Sequence, residues 1–414
     1  MDRALTPPNF SERVALMATL ISLVALSIDA ILPALPDISR DLSAASGNSV
    51  QLVISALLLG LSFGQLVSGP LSDSFGRRPV IQAGLCIFSI GSLLSMIATD
   101  FETMLLGRFL QGVGAAGPRV VTLALVRDQF DGRSMARVMS FVMAVFILVP
   151  ALAPALGQGI LFVGDWRTIF VVFLWLSALA LLWFTLRQPE THPPEKRVPF
   201  SFKQVGGAMG ECIAHPVSLG YMITSGIVFG SFVGFLTSVQ PIFGVIYDVT
   251  VMFPVYFCIL ALAIGAASVV NARLVMKFGM RRLSNWALHS LIAICAAGLI
   301  TAWVLDSGMP LWVFMALLMP AFFCFGILFG NFNAIAMEPM GHIAGSAAAI
   351  IAAVTSLLAV SIGTLIGQSF NGTVIPLFAG YVICGLAAVI VISISDRRNS
   401  MRRARSSRSM DDGP

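Results

Sequence analysis

The chain has 414 residues, of which 57% are hydrophobic and only 11% charged, and its mean hydropathy is +0.91. A soluble domain carries roughly 25% charged residues, so this composition excludes a water-soluble fold and turns the count of domains into a count of membrane spans. The formal net charge of +5 reflects how the spans are oriented and has no nucleic-acid meaning, because the basic residues are distributed by side of the membrane.

Apolar stretches between charge clusters predict twelve spans, near 14–35, 50–70, 80–98, 103–125, 138–161 and 166–186, then 217–239, 252–270, 283–304, 310–333, 344–367 and 373–395. The first runs unbroken from Val14 to Leu35 and ends in LPALPDI, so it reads as a retained span and not a cleaved leader. Between the sixth and seventh lies RQPETHPPEKRVPFSFK, the longest polar interruption. It divides the chain into a bundle over 1–187, a connecting loop over 188–213 and a second bundle over 214–396. The remainder, 397–414, is a basic tail too polar to pack and reads as disordered.

An even number of spans places both termini on one side. Of the 25 Lys and Arg, Arg40 and Arg167 fall on the other side and Arg108 and Arg119 inside spans, while all the rest, from Arg3 to Arg408, fall on the side of the termini. That bias predicts cytoplasmic termini and a cytoplasmic connecting loop. The tail arginines serve this topology first and could touch anionic headgroups. The six cysteines are scattered without metal-ligand spacing and read as reduced packing residues. No cofactor and no metal site is expected.

Two loops echo one another. SGPLSDSFGRRP follows the second span and NARLVMKFGMRR the eighth, aligning Leu71, Phe75 and Gly76 with Leu274, Phe278 and Gly279 at a constant offset of 203 residues. An echo at half-length points to duplicated six-helix units. The first loop resembles the signature loop of the major facilitator superfamily through Gly69, Asp73, Gly76, Arg77 and Arg78, with Ser74 departing from the basic residue common there. In that resemblance the glycines permit a tight turn and the acid latches neighbouring helices beside the arginine pair.

LLGRFLQGVGAAG, residues 105–117, resembles the fourth-helix motif of drug/proton antiporters in the same superfamily, with its embedded arginine at Arg108. VPALAPALGQG, with Pro150, Pro154 and Gly157, resembles a loosened fifth-helix antiporter motif in which Ala153 and Gln158 replace glycines. IDAILPALPDI in the first span, with GFLTSVQPIF and NARLVMKFG in the second half, resembles the bicyclomycin and chloramphenicol resistance (Bcr/CflA) branch. The resemblance implies an all-α integral membrane protein with twelve helices in two pseudo-symmetric six-helix bundles. It further implies alternating access and residence in a bacterial inner membrane, with a small-molecule substrate and protons as partners.

Among acidic residues only Asp29 falls well inside a span; Asp306 and others belong to outer loops. A carboxylate there costs at least a few kcal/mol unless paired or neutral. At ~1.5 Å per residue, Asp29 and Arg108 lie at similar depth on helices running in opposite directions. In the resembled fold both helices line the central cavity, so a direct or water-mediated contact is expected. Burial and a nearby guanidinium act in opposite senses on a carboxyl's proton affinity, and conformation could then tune a proton switch at Asp29. The competing reading is a static clamp between helices.

Arg119 shares a helical face with Arg108, Gln111, Gly112 and Ala115. It either bonds carbonyls freed by a kink at Pro118 or serves substrate or Asp29. His289 reads as a packed, hydrogen-bonded residue. Asn331 and Asn333 are candidate polar lining residues, and Phe235, with Met222, Phe229, Phe232, Tyr256 and Phe325, suits adaptable apolar contacts.

These residues predict a proton-coupled exporter of small amphipathic drugs, acting as a monomer in the bilayer. The alternative is a proton-coupled exporter or importer of a specific metabolite on the same fold. A membrane-embedded enzyme is disfavoured, since neither a helical metal-binding histidine pair nor a nucleophile with its base is legible. The chain also has no GxxxxGK[ST] loop for a primary pump.

Overall fold

The computed structural model describes residues 9–44, 48–305 and 308–411. Arg3, Ala45, Asp306 and the last three residues lie outside the described residues, as do the side chains of Arg133, Lys196 and the tail from Arg403 onward.

Twelve long helices account for the predicted spans. They are α1 Phe10–Asp29, α2 Leu52–Phe75, α3 Arg77–Met96, α4 Phe101–Gln129, α5 Gly132–Leu161 and α6 Trp166–Arg187, then α7 Pro216–Pro241, α8 Phe253–Phe278, α9 Met280–Val304, α10 Leu311–Met337, α11 Ala344–Gln368 and α12 Ile375–Asp411. No strand occurs among the described residues. Local chemistry sets several starts. Asn9, Asp100 and Asp165 cap α1, α4 and α6 by accepting from the amides of Glu12, Thr103 and Thr168 at 2.8, 2.8 and 3.1 Å.

Helix surfaces are inside-out relative to a soluble bundle. On α6, Trp175, Leu179, Leu182 and Leu186 form one stripe exposed by 53% or more, and Ile383, Leu386 and Ile390 form another on α12 exposed by 50% or more. Continuous apolar stripes of this kind face lipid.

Three boundaries differ from the sequence reading. The tail is helical, since α12 continues through Asp411; residues 397–411 contain no Gly or Pro and are rich in Arg, a good helix former. The connecting segment is not all loop, because Phe202–Ala214 forms a helix that buries Ala208 and Cys212 against Met340, Ala347 and Ile350. The signature loop is a single residue: α2 runs to Phe75 and α3 starts at Arg77, so Gly69 and Asp73 are helical.

Within the first half α4 packs on α2 and α3, and α1 on α4, α5 and α6; within the second α7 packs on α10, α11 and α12. The halves meet along two seams, α2 with α11 and α5 with α8. Adding six to α2 and to α5 converts one seam into the other, as a duplicated unit requires. The duplication also shows at its turns: Gly76 (φ 103°) ends α2 and Gly279 (φ 76°) ends α8, both in the left-handed region open to glycine.

Candidate functional site

At the end of the molecule that carries the termini, Arg77 is 7% exposed and sits among acids. Its Nη1 donates to Asp73 Oδ1 at 2.5 Å and to Ser72 Oγ at 2.8 Å, and its Nε donates to Asp128 Oδ2 at 3.0 Å, tying α2, α3 and the end of α4 together. Glu190, just past α6, accepts from the backbone amides of Arg77 and Arg78 at 2.9 and 3.0 Å. A carboxylate on the first amides of α3 also meets the positive end of that helix. Arg78 donates to the Thr185 carbonyl of α6 at 2.6 Å. Gly69 takes no part in the turn; it faces Ala349 of α11 across the seam between halves.

Deeper in, α1 is interrupted. It ends at Asp29, and a short turn Leu32–Ala34 and a helix Leu35–Asp41 follow, each with proline in its first turn. On α5, Pro150 and Pro154 lie within the helix and Gly157 packs on this break, where a Cβ would stand 1.9 Å from the Ala30 carbonyl oxygen. Glycine is therefore required for α5 to approach the residue next to Asp29.

Arg108 is fully buried at the same depth, but the expected direct pair with Asp29 does not form. Its Nη2 donates to the Ser27 carbonyl of α1 at 2.8 Å, its Nε to the Val53 carbonyl of α2 at 3.2 Å, and its Nη1 to Gln111 Oε1 at 2.5 Å, while the Phe170 ring lies 5.9 Å away. Two backbone carbonyls and an amide outcompete the carboxylate because they hold a guanidinium without burying a second charge. Asp29 is 5% exposed and makes no hydrogen bond or ion pair among the described residues. Gln111, expected to line the cavity, is buried and passes the chain of bonds to Ser92 of α3 at 2.8 Å.

Elsewhere the structure separates the candidates. Arg119 is half-buried and makes no bond to a carbonyl near Pro118 or to Asp29 among the described residues. Asn331 pairs reciprocally with Asn271 of α8 at 3.0 Å, and Asn333 is exposed. Phe235 is fully buried, 4.8 Å from Phe322 and 6.2 Å from Phe257, inside an aromatic core. His289 is exposed and bonds the Asn285 carbonyl of its own helix at 2.7 Å.

Sequence reasoning missed Asp128 and Glu190, which read as inner-loop charges with no periodicity linking them to Gly76. It also missed a polar seam at the end opposite the termini. There Asn48 donates to the carbonyls of Gln368 and Phe370 at 3.1 and 2.8 Å, Gln368 returns a bond to Asn48 at 2.8 Å, and Thr364 donates to Ser55 at 2.8 Å. Toward the termini the seam loosens to a 3.5 Å contact between Ser356 and Gln65.

Two related six-helix bundles that meet along two seams, with buried charge in the first and an ionic network at the end of the molecule that carries the termini, define a membrane transporter. The chain belongs to the Major Facilitator Superfamily, whose sequence profile matches residues 17–364. It is 33% identical over 381 residues to the MFS-type transporter YdgK of Bacillus subtilis, covering 90% of this chain and 93% of that one. It is 30% identical over 396 residues to the bicyclomycin resistance protein homolog of Haemophilus influenzae, covering 94% and 96%. The second relative agrees with the resistance branch indicated by the motifs. Among solved structures, the D-xylose-proton symporter superposes with a TM-score of 0.72 at 17% identity over 92% of this chain and 97% of that one, a likeness of fold. Membership makes the chain a multi-pass carrier of small molecules and not an enzyme.

Proposed function

We propose that the chain is a proton-coupled exporter of small amphipathic drugs, bicyclomycin- or chloramphenicol-like, working as a monomer in a bacterial inner membrane with both termini in the cytoplasm. The observation that carries this reading is Asp29: a lone buried carboxyl at a helix break, beside a cation that is bonded elsewhere. Such a group suits the protonated state in this conformation, since an unpaired carboxylate in a span is costly.

On losing its proton, Asp29 would compete for Arg108 with the Ser27 and Val53 carbonyls. Arg108 joins α1, α4 and α2, so a change of its partner moves the broken end of α1 against α5 and α2 against α11. The polar seam between Asn48 and Gln368 closes the end opposite the termini in the described state. Exchange of the Arg108 bonds is the step that would open it, letting a proton in as drug leaves. In the same state the Asp73, Arg77, Asp128 and Glu190 network holds the terminal ends of α2, α3 and α4 together, and its rearrangement would accompany the opposite phase.

The test is drug accumulation in vesicles under an imposed pH gradient. Asp29→Asn should bind drug within about threefold of the parent yet lose uphill transport entirely. An Asn variant that still concentrates drug would overturn the coupling site. If Arg108→Ala and Asp29→Asn instead lower folding yield equally and the double change restores it, the pair is a clamp.

A further inference from the structure

At the terminal end of the second bundle lies an open cavity of about 370 Å³ that no role above uses. Four helices wall it. Val217 comes from the first turn of α7, Arg281 from the first turn of α9, Glu338 and Pro339 from the turn that follows α10, and Asn399 and Arg402 from the extension of α12 beyond its span. The α12 wall follows from helical periodicity. Its buried stripe of Ala388, Ile392 and Ser395 continues, four and seven residues after Ser395, as Asn399 and Arg402. Because the tail stays helical past Arg397, the face that packs the bundle inside the membrane turns polar where it overhangs the cavity.

These walls hold more donors than acceptors. Arg281 donates from Nη1 to Asp396 at 3.2 Å and from Nη2 to Glu338 at 3.5 Å, both longer than the ~2.7–2.9 Å of a well-made charge-assisted bond. The Tyr221 ring, 5.6 Å away, supports one face of its guanidinium. A guanidinium has five N–H donors, so most of those on Arg281 are unspent. Arg402 and Asn399 have no side-chain hydrogen bond or ion pair among the described residues. The backbone adds to this excess. Both α7 and α9 begin at the cavity and only α10 ends there, so two helix N-termini, with first-turn amides that lack intrahelical acceptors, face it. Against Arg281 and Arg402 the lining sets a single carboxylate, Glu338.

We infer that this cavity binds a small phosphate monoester, its phosphoryl oxygens taking bonds from Arg281, Arg402 and the first turn of α7, and its body lying against Val217 and Pro339 within reach of Asn399. The inference rests on the proposed orientation only for the compartment that supplies the ligand, the cytoplasm. Planar guanidinium forks match phosphate oxygens in pairs, and a helix N-terminus favours the same charge. The volume falls in the ~300–1,000 Å³ range of small-molecule sites, room for a phosphoryl group on a body the size of a pentose. A phospholipid headgroup carries the same chemistry. Yet Asn399 and Arg402 lie on the bundle-facing side of α12, opposite the Ile383, Leu386 and Ile390 stripe along which acyl chains would run. On binding, Arg281 keeps the shorter of its two bonds, to Asp396, and exchanges Glu338 for the phosphate. Glu338 then stands beside the ligand as a like charge.

The experiment is equilibrium binding of ribose 5-phosphate, ribose and inorganic phosphate to the purified full chain in phosphatidylcholine nanodiscs, with no gradient present. Ribose 5-phosphate should bind about tenfold or more tighter than ribose and several-fold tighter than inorganic phosphate. Arg281→Gln should weaken it about tenfold and Arg402→Gln several-fold. Glu338→Gln should tighten it about threefold, a gain that a misfolded variant cannot produce. The neighbouring Arg282, exposed and 5.1 Å from the Trp286 ring, is the control; Arg282→Gln should leave binding within about twofold. Equal affinity for ribose 5-phosphate and either fragment, equal losses in Arg281→Gln and Arg282→Gln, or weaker binding by Glu338→Gln would each overturn the site. Exchanging part of the phosphatidylcholine for phosphatidylglycerol should leave the affinity unchanged. Competition by that lipid, lost in Arg281→Gln, would assign the cavity to a headgroup and overturn the soluble ligand. No proton gradient enters, so failure of coupling at Asp29 leaves this readout standing.

Discussion

The two bundles share a backbone and differ in what fills it. Gly76 and Gly279 make the same left-handed turn, at φ 103° and 76°. Around the first lie Asp73, Arg77, Asp128 and Glu190 in bonding contact. At the offset of 203, Met276 and Met280 stand where Asp73 and Arg77 do. Nearby Arg281 pairs with Glu338 at 3.5 Å and Asp396 at 3.2 Å, with side chains 42–58% exposed, and lies over the Tyr221 ring at 5.6 Å.

Helix packing differs in the same sense. Where α5 meets α1, Gly157 faces a carbonyl oxygen; where α7 meets α11, the equivalent contact, Gly234 faces methyl groups of Ile366. Charge is thus held on a rigid frame, where small displacements change electrostatic energy steeply. The corresponding contact of the second half is made between side chains, and under the proposed function that half would supply adaptable apolar contacts.

The largest effect tests that contrast at the helix contacts. Gly157→Ala puts a Cβ 1.9 Å from the Ala30 oxygen, where backbone must move, while Gly234→Ala meets only Ile366 side-chain atoms among its nearest neighbours, Cδ1 and Cγ2 at 2.8 Å and Cβ at 2.9 Å, a milder clash. Thermal unfolding in detergent should show a loss of about 3 kcal/mol or more for the first and about 1 kcal/mol for the second. Equal losses would remove the distinction between a rigid and an adaptable half.

Next come the turns. An alanine at positive φ costs roughly 1–2 kcal/mol at either site. At Gly76 its Cβ would also stand 2.5 Å from the Glu190 carboxylate, whereas nothing lies within 4 Å of Gly279. Transport by Gly76→Ala should fall several-fold further than by Gly279→Ala, measured as initial efflux rate. Asp128→Asn should follow, leaving Arg77 buried with one ionic partner and slowing efflux by about fivefold, from the loss of a bond to a charged group worth ~1.5 kcal/mol or more, at normal expression.

Much of this architecture was legible in the sequence because a bilayer writes its requirements in long stretches. Twelve apolar runs, the lysine and arginine bias and the half-length echo gave helix positions close to those observed. Boundaries slipped where polar residues continue a helix, as at Asp73 and beyond Arg397. Asp29 and Arg108 were visible as ionisable residues in spans, and their common depth followed from counting. Their failure to pair was not visible, because the competitors are the carbonyls of Ser27 and Val53, and carbonyls carry no sequence signal. Asn331 shows the same limit: an amide in a span looks like cavity lining until Asn271 is found opposite it.

The smallest effect bears most directly on whether the second half has a latch of its own. Arg281 bonds Glu338 and Asp396, and the three side chains are 42–58% exposed. Exposed ion pairs contribute ~0–1 kcal/mol because water screens them and two long side chains must be held still. Glu338→Gln and Asp396→Asn should therefore change stability by no more than about 0.5 kcal/mol each, and leave efflux within about twofold of the parent, the equivalent of ~0.4 kcal/mol. The contrast with Asp128→Asn is the informative quantity, since Asp128 and Glu338 lie at corresponding ends of α4 and α10. Should Glu338→Gln slow efflux as strongly as Asp128→Asn, the terminal end would close through two latches, and the assignment of charge to the first half and apolar recognition to the second would not stand.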